Sequence, residues 1–167
     1  MKTIYGMQTL RIVGISGVGK TTLIENIMKK NPTLIHASYG EYFKKYGERA
    51  NSKLREFLFR SSGLILLDEH LEIGDDDLSD AYKEEKTIGM FFLEVSPDML
   101  ICRRHSDHKR NRPLDRNEII NEQLKAKKRA KLLAKNLKIP MCAVLNGSVK
   151  RNTYLLKLFI DKCVCKQ

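Results

Sequence analysis

The sequence predicts a three-layer α/β/α fold built around a five-stranded parallel sheet. Two observations support this prediction. Apolar runs of strand length alternate with longer amphipathic stretches along the 167-residue chain, which is the pattern of strand–helix–strand units. A glycine-rich segment directly follows the first apolar run and leads into the first amphipathic stretch, as expected where a strand turns tightly into a helix.

Short apolar runs bounded by turn residues predict the strands. Asn31-Pro32 precedes the second run, Gly63 and Gly89 precede the third and fourth, and Asn146-Gly147 follows the fifth. The five predicted strands are at about 9–14, 33–38, 63–68, 89–95 and 140–145.

Amphipathic stretches between these runs predict the helices. Ser96-Pro97 and Asp115 are typical helix starts. The segment 74–87 is polar and rich in acidic residues, and we expect a loop with a short helix there. The predicted helices cover 20–30, parts of 40–61, 97–104, about 115–137 and about 150–162.

The glycine-rich segment is a complete phosphate loop (P-loop) of the pattern G-x-x-x-x-G-K-[ST]. Its glycines let successive backbone N–H groups face one anion, Lys20 adds positive charge at the outer phosphates, and Thr21 offers a hydroxyl to Mg²⁺. The alternative is a glycine-rich turn with an incidental lysine. We expect ATP and Mg²⁺ as ligands, with a nucleotide-binding set of Gly14, Ser16, Gly17, Val18, Gly19, Lys20, Thr21 and Thr22.

The third strand ends in Asp68-Glu69-His70. An aspartate at this position of a P-loop enzyme holds Mg²⁺, so Asp68 is a predicted catalytic residue and, with Thr21, a predicted metal ligand. Glu69 could orient a nucleophilic water in an ATPase. His70 shares the face of Asp68 if the strand continues, and it could then contact the transferred phosphate or the acceptor. For each, a purely structural role stays open.

A basic stretch runs from Arg103 to Arg112 and ends at Pro113. Phosphoryl transfer spreads negative charge over the transferred group, and planar guanidinium groups that close over it stabilise that charge. Arg110 and Arg112 are therefore predicted catalytic residues of a lid, with Lys20 as the catalytic lysine of the loop. The alternatives are a solvated basic loop or a patch that faces RNA.

The net charge of +11 suits a partner rich in phosphate. Contact with RNA or a ribosome is one interpretation, and a solvated lysine-rich surface, for example over 125–131, is the other. No apolar run is long enough to span a membrane, and no secretory signal is evident. The cysteines indicate a reduced, cytoplasmic setting, with Cys102 and Cys142 expected to be buried.

These segments, in this order, resemble archaeal-type adenylate kinases and their relatives, the small adenylate-kinase-like ATPases of ribosome assembly. The shared features are the P-loop, Asp68-Glu69-His70 and Arg110-Asn111-Arg112. The resemblance implies a role for Gln123 on the helix after the lid, and it implies that Asn146 after the last strand binds nucleotide.

The chain departs from that family on the acceptor side. The Arg-Asp-x-x-Arg segment that helps to hold the acceptor nucleotide is missing, which leaves Arg55 as a weaker candidate. Asp75-Asp76-Asp77 stands where a Gly-Tyr-x-Pro-Gly-x-Pro loop is expected. The donor half therefore matches the family, whereas the residues expected to hold AMP as the acceptor do not.

The resulting expectation is a single P-loop kinase-like domain, 1–167, with a short acceptor-side helical region about 40–61 and a lid segment about 103–114. Its expected activity is Mg²⁺- and ATP-dependent phosphoryl transfer to a nucleoside monophosphate or similar small acceptor. The alternative is a small ATPase that acts in RNA or ribosome assembly. A third hypothesis is a protein that binds nucleotide but has little catalytic turnover.

Overall fold

A computed structural model describes residues 8–70 and 86–165. Within them, five parallel strands form one sheet in the order β2-β3-β1-β4-β5. The predicted fold class and all five predicted strands are confirmed, with ends that differ by at most two residues. The strands are β1 Gln8–Val13, β2 Ile35–Ser38, β3 Leu64–Glu69, β4 Thr87–Glu94 and β5 Met141–Leu145.

Six α-helices connect and cover these strands in the described part of the chain. They are α1 Lys20–Lys30, α2 Tyr39–Tyr46, α3 Ala50–Arg60, α4 Pro97–Ser106, α5 Arg116–Leu137 and α6 Val149–Cys165, with a 3₁₀ turn at Gly47–Arg49 between α2 and α3. The two predicted helix starts are N-caps in the structure. The Ser96 side chain accepts a hydrogen bond from Met99 N, and the Asp115 side chain accepts hydrogen bonds from Asn117 N and Glu118 N. The predicted segment 74–87 lies outside the described residues except for its end, where Thr87 begins β4.

The helices cover both faces of the sheet. Phe91 of β4 contacts the Phe159 ring of α6, and α6 also packs on α1. On the opposite face, Ile65 and Leu67 of β3 pack with α3, and α5 lies against β4. The main core is centred on β1 and β4, where Leu10, Ile12, Phe91 and Phe92 are fully buried.

Gly89 lets α6 approach β4 closely. A Cβ atom at this position would lie 2.7 Å from Cys163 Sγ and 3.1 Å from the nearest atoms of the Phe159 ring. Both distances are shorter than ordinary van der Waals contacts, so a larger residue would push the helix away from the strand.

We predict that Gly89→Ala lowers the free energy of unfolding by about 1–3 kcal/mol, since overpacking forces side chains off their rotamers. Urea unfolding followed by circular dichroism measures this. Gly40→Ala is the matched control, because a Cβ there would meet only Ser38 Oγ at 3.9 Å. The control should be neutral or slightly stabilising, as alanine favours a helix. Equal losses in both variants would contradict the tight α6–β4 contact.

Candidate nucleotide site

The P-loop joins β1 to α1 at the carboxyl edge of the sheet. Gly17 and Gly19 have φ angles of 94° and 100°, which favour glycine because a Cβ atom would be strained there. Gly14 is required for space instead, since a Cβ atom would lie 2.6 Å from the carbonyl oxygen of Leu93. Val18 is buried, whereas Thr22 is exposed at the start of α1. The loop therefore has the tight turn that the sequence predicts.

Lys20 is buried inside the loop. Its Nζ donates to the carbonyl oxygens of Gly14 at 2.7 Å and Ile15 at 3.1 Å, and it lies 4.0 Å from Asp68 Oδ1. Burial lowers the pKa of Lys20 to about 8, and the carboxylate of Asp68 opposes this shift. An anion in the loop would favour the charged ammonium.

Thr21 and Asp68 meet across the gap between α1 and β3. Thr21 Oγ1 donates to Asp68 Oδ2 at 2.9 Å. Mg²⁺ prefers oxygen ligands, usually one or two from the protein, with water and phosphate oxygens completing its coordination. This hydroxyl–carboxylate pair beside a phosphate loop fits that requirement, and both residues are those that the sequence predicts as metal ligands.

His70 follows Asp68 by two residues and lies in the same cluster. Its Nδ1 is 3.3 Å from Lys20 Nζ and 3.2 Å from the carbonyl oxygen of Gly14. Burial, with help from the Lys20 ammonium, lowers the pKa of His70 to about 4. The imidazole is therefore neutral at pH 7.

Glu69 points away from this cluster. Arg11 Nη1 of β1 donates to Glu69 Oε2 at 2.6 Å, and both side chains are buried. Arg11 also donates to the hydroxyl of Thr87 at 3.4 Å, so the ion pair ties β3 and β4 to β1. The predicted alternative role for Glu69, orienting a water, does not agree with this arrangement, because the carboxylate is engaged by the arginine.

Arg104 is buried and braces the P-loop. Its guanidinium donates to the carbonyl oxygen of Ser16 at 3.0 and 3.2 Å, to that of Pro113 at 3.0 Å, and to Glu122 of α5 at 3.0 Å. The sequence did not single out Glu122. A Glu on the first turns of the helix after an arginine-rich segment was the available signal.

The predicted lid is partly helical. Arg103 and Arg104 lie in the last turns of α4, so the irregular segment is 107–115. Arg112 contacts Asp107 at 3.1 Å, and a Cβ atom on Gly17 would lie 3.3 Å from its Nη1. Burial and the positive charge of Arg110 lower the pKa of Arg112, and Arg110 itself is exposed.

Gln123 and Asn146 both form hydrogen bonds to the backbone that directly follows β4. Gln123 accepts from Val95 N at 3.1 Å and donates to Val95 O at 2.7 Å, so its amide is used structurally. Asn146 Oδ1 accepts a hydrogen bond from Ser96 N at 2.6 Å, and Asn146 is exposed at the carboxyl edge of the sheet. Nucleotide binding by Asn146 stays a prediction.

The two cysteines expected to be buried are more exposed than predicted. Cys102 is exposed, so that expectation was wrong, and Cys142 is half-buried. Leu100 and Arg104 form the buried side of α4, and Cys102, two residues from each, lies on the opposite side of the helix. Asp75, Asp76 and Asp77 lie outside the described residues. In the part of the chain that the structure describes, no group of three or more acidic, histidine or cysteine residues could hold a metal ion. None of the helices described there is long and apolar enough to cross a membrane.

The lowered pKa of His70 predicts a pH dependence of stability. The unfolded imidazole takes up a proton near pH 6.5, whereas the folded one does so only near pH 4, so stability falls as the pH drops through this window. We expect His70→Gln to remove about 2 kcal/mol of the loss between pH 7 and pH 5. Urea unfolding at both pH values measures it; identical losses in the wild type and the variant would contradict the burial of a neutral His70.

Solved structures share the fold at low sequence identity. A shikimate kinase from Acinetobacter baumannii in complex with shikimate has a TM-score of 0.59 at 16% identity, covering 96% of this chain and 97% of its own. A deoxyadenosine kinase from M. mycoides, with products dCMP and a flexible dCDP bound, has a TM-score of 0.57 at 18% identity, covering 92% and 99%. These likenesses support the α/β kinase-type fold.

No curated protein matches this chain significantly. A family model does match: that of the ATPase family associated with various cellular activities (AAA), over residues 10–98. The matched region runs from β1 through the P-loop and Asp68 to the start of α4, and it covers more than half of the chain. The chain therefore belongs to the ATPase family associated with various cellular activities.

Proposed function

We propose that this protein is a Mg²⁺- and ATP-dependent phosphotransferase that passes a phosphoryl group to a nucleoside monophosphate or similar small acceptor. The observation that carries the proposal is the engagement of Glu69 by Arg11 at 2.6 Å. It leaves the carboxylate beside Asp68 unavailable for activating water, as an ATPase would need. The residues expected to bind the phosphate donor ATP, in contrast, lie together: Asp68 contacts both Lys20 and Thr21.

The donor half of the reaction follows from the loop. Lys20 would exchange its contacts with the carbonyl oxygens of Gly14 and Ile15 for the outer phosphates of ATP. Thr21 and Asp68 would hold Mg²⁺, which would neutralise phosphate charge when bound. Arg104 donates to the carbonyl oxygens of Ser16 in the loop and of Pro113 just before α5, and it would hold these two segments together.

The lid half rests on Arg110 and Arg112. Their positive charges reach the groups at the loop: Arg110 is among the charges that lower the pKa of His70, and Arg112 is among those that lower the pKa of Lys20. Arg112 also lies close to Gly17, because a Cβ atom there would be 3.3 Å from its Nη1. An anion bound at the loop would relieve the repulsion between these positive charges. Guanidinium groups placed there would stabilise charge on the transferring group.

The acceptor side supports a small acceptor less directly. The structural neighbours named above act on, or were solved with, small molecules such as shikimate and dCMP. The helical region about 40–61, observed as α2 and α3, stands beside the carboxyl end of β2, where Ser38 pairs in register with Asp68. An acceptor bound there would be adjacent to Asp68, the proposed Mg²⁺ ligand.

A second candidate is an ATPase that acts on RNA or ribosomal particles, and membership of the AAA family favours it. The two candidates differ in the fate of the phosphate. The test supplies ATP labelled in its γ-phosphate and a panel of acceptors that contains nucleoside monophosphates and small alcohols. We expect at least one acceptor to gain more label than is released as free phosphate. No transfer to any acceptor, together with phosphate release that RNA stimulates, would replace the proposal with the ATPase.

A variant at Glu69 tests the same distinction. Glu69→Gln alone would remove the carboxylate that Arg11 binds, and breaking a buried ion pair costs about 3–5 kcal/mol. The double variant Arg11→Met, Glu69→Met replaces the pair with apolar groups, and such exchanges are often neutral.

We expect the double variant to keep turnover within about threefold of wild type, because neither residue touches the reacting groups. Circular dichroism and urea unfolding report whether it is folded. A folded double variant that has lost on the order of 10² or more of its turnover would make Glu69 the water-activating group.

A further inference from the structure

α5 presents a continuous lysine surface to solvent. The helix carries seven Lys and Arg residues against two Glu. Lys125, Lys128, Lys131 and Lys135 are all exposed, and their spacing of three or four residues aligns them along one side of the helix. We call these four side chains the α5 lysine face.

The lysine face is not neutralised by the rest of the described chain. No ion pair or hydrogen bond from its four ammonium groups occurs among residues 8–70 and 86–165, whereas the neighbouring Lys127 is bound to Glu94 at 2.5 Å. The face is therefore an uncompensated charge on a protein of net charge +11, and it suits a polyanion.

The opposite side of α5 is committed to the sheet. Ile119, Gln123, Ala126, Ala130 and Leu133 are buried there, so this apolar side is not available to insert into a lipid bilayer. The partner of the lysine face must instead lie along its surface. The Cβ atoms of helix residues three or four apart are about 5–6 Å from each other, so the lysines form a regular row of positive charges. A chain of phosphates offers a similarly regular row of negative charges.

Two exposed leucines lie within the same surface. Leu124 and Leu132 each expose 58% of their area and flank the lysines on the helix. An apolar side chain beside a phosphate-binding lysine can contact an unpaired base, whereas a duplex hides the faces of its bases. Unpaired bases are typical of RNA loops and ends.

We propose that the α5 lysine face binds single-stranded RNA, with the lysines on phosphates and the two leucines against bases. The face begins one turn after Glu122 and Gln123, which hold Arg104 and Val95. A bound strand would therefore start close to the nucleotide site. The proposal does not depend on whether the phosphoryl group goes to an acceptor or to water.

The test compares two variants of equal charge. One carries Lys125→Gln, Lys128→Gln, Lys131→Gln and Lys135→Gln. Its control carries Lys29→Gln, Lys30→Gln, Lys150→Gln and Lys162→Gln, which are exposed lysines of α1 and α6. Each removes four of the positive charges, and glutamine preserves helix propensity. Unchanged ATP turnover without RNA shows that both variants are folded.

Fluorescence anisotropy of a labelled 20-nucleotide oligouridylate, at several salt concentrations, gives the affinity. We expect the α5 variant to bind the RNA on the order of 10²-fold more weakly. The slope of the logarithm of the binding constant against the logarithm of salt concentration should become shallower by about 3, since each of four phosphate contacts contributes about 0.7. The control should stay within about threefold. Equal losses in the two variants would mean that only net charge matters, and would overturn the proposal.

Two further arms identify the partner class. Leu124→Ser with Leu132→Ser should weaken oligouridylate binding and leave binding of a 20-base-pair duplex DNA unchanged. If polyglutamate of equal length binds as tightly as the RNA and loses as much affinity in the α5 variant, the surface serves an acidic protein and the RNA proposal is wrong. Duplex DNA that binds more tightly than the single strand would also contradict it.

Discussion

The parallel pairing of β1 with β3 is the constraint on which the site depends. Its register sets Ile12 opposite Asp68, so the P-loop that leaves β1 starts beside the carboxyl end of β3. Because side chains alternate along a strand, Asp68 reaches Thr21 while Glu69 turns to the other face. A slip of one residue would exchange these two carboxylates and leave the loop without its predicted metal ligand.

Two buried arginines connect this sheet edge to the rest of the molecule. Arg11 fixes Glu69 within the sheet, and Arg104 joins the P-loop to the lid segment and to α5. Removing Glu69 or Glu122 would take away the carboxylate that offsets a buried guanidinium. The chemistry at the loop is thus supported by ion pairs that do not touch the nucleotide, and the lid arginine Arg112 is positioned next to one of them.

Periodicity and turn residues predicted the strands and helices because local patterns determine them, and the P-loop could be predicted because its spacing is set by the size of a phosphate. The ion pairs could not be predicted in the same way, since Arg11 meets Glu69 only after β1 and β3 pair. An arginine inside an apolar strand was the available signal. Helix α4 ends at Ser106, two residues later than the predicted end at 104, and the side chains of Arg103 and Arg104 donate to carbonyl oxygens of the loop, which local pattern could not predict. The acceptor could not be predicted, as it depends on contacts far apart in the chain.

The β1–β3 register brings Lys20, Thr21 and Asp68 together, and we infer that they form a Mg²⁺–ATP site. Isothermal titration of ATP into the wild type and into Asp68→Asn, each with Mg²⁺ and with chelator, measures what Asp68 contributes to metal binding. We expect Mg²⁺ to tighten ATP binding by the wild type on the order of tenfold or more, and most of this gain to be lost in the variant while metal-free binding is retained. An equal gain from Mg²⁺ in both proteins would mean that Asp68 does not hold the metal.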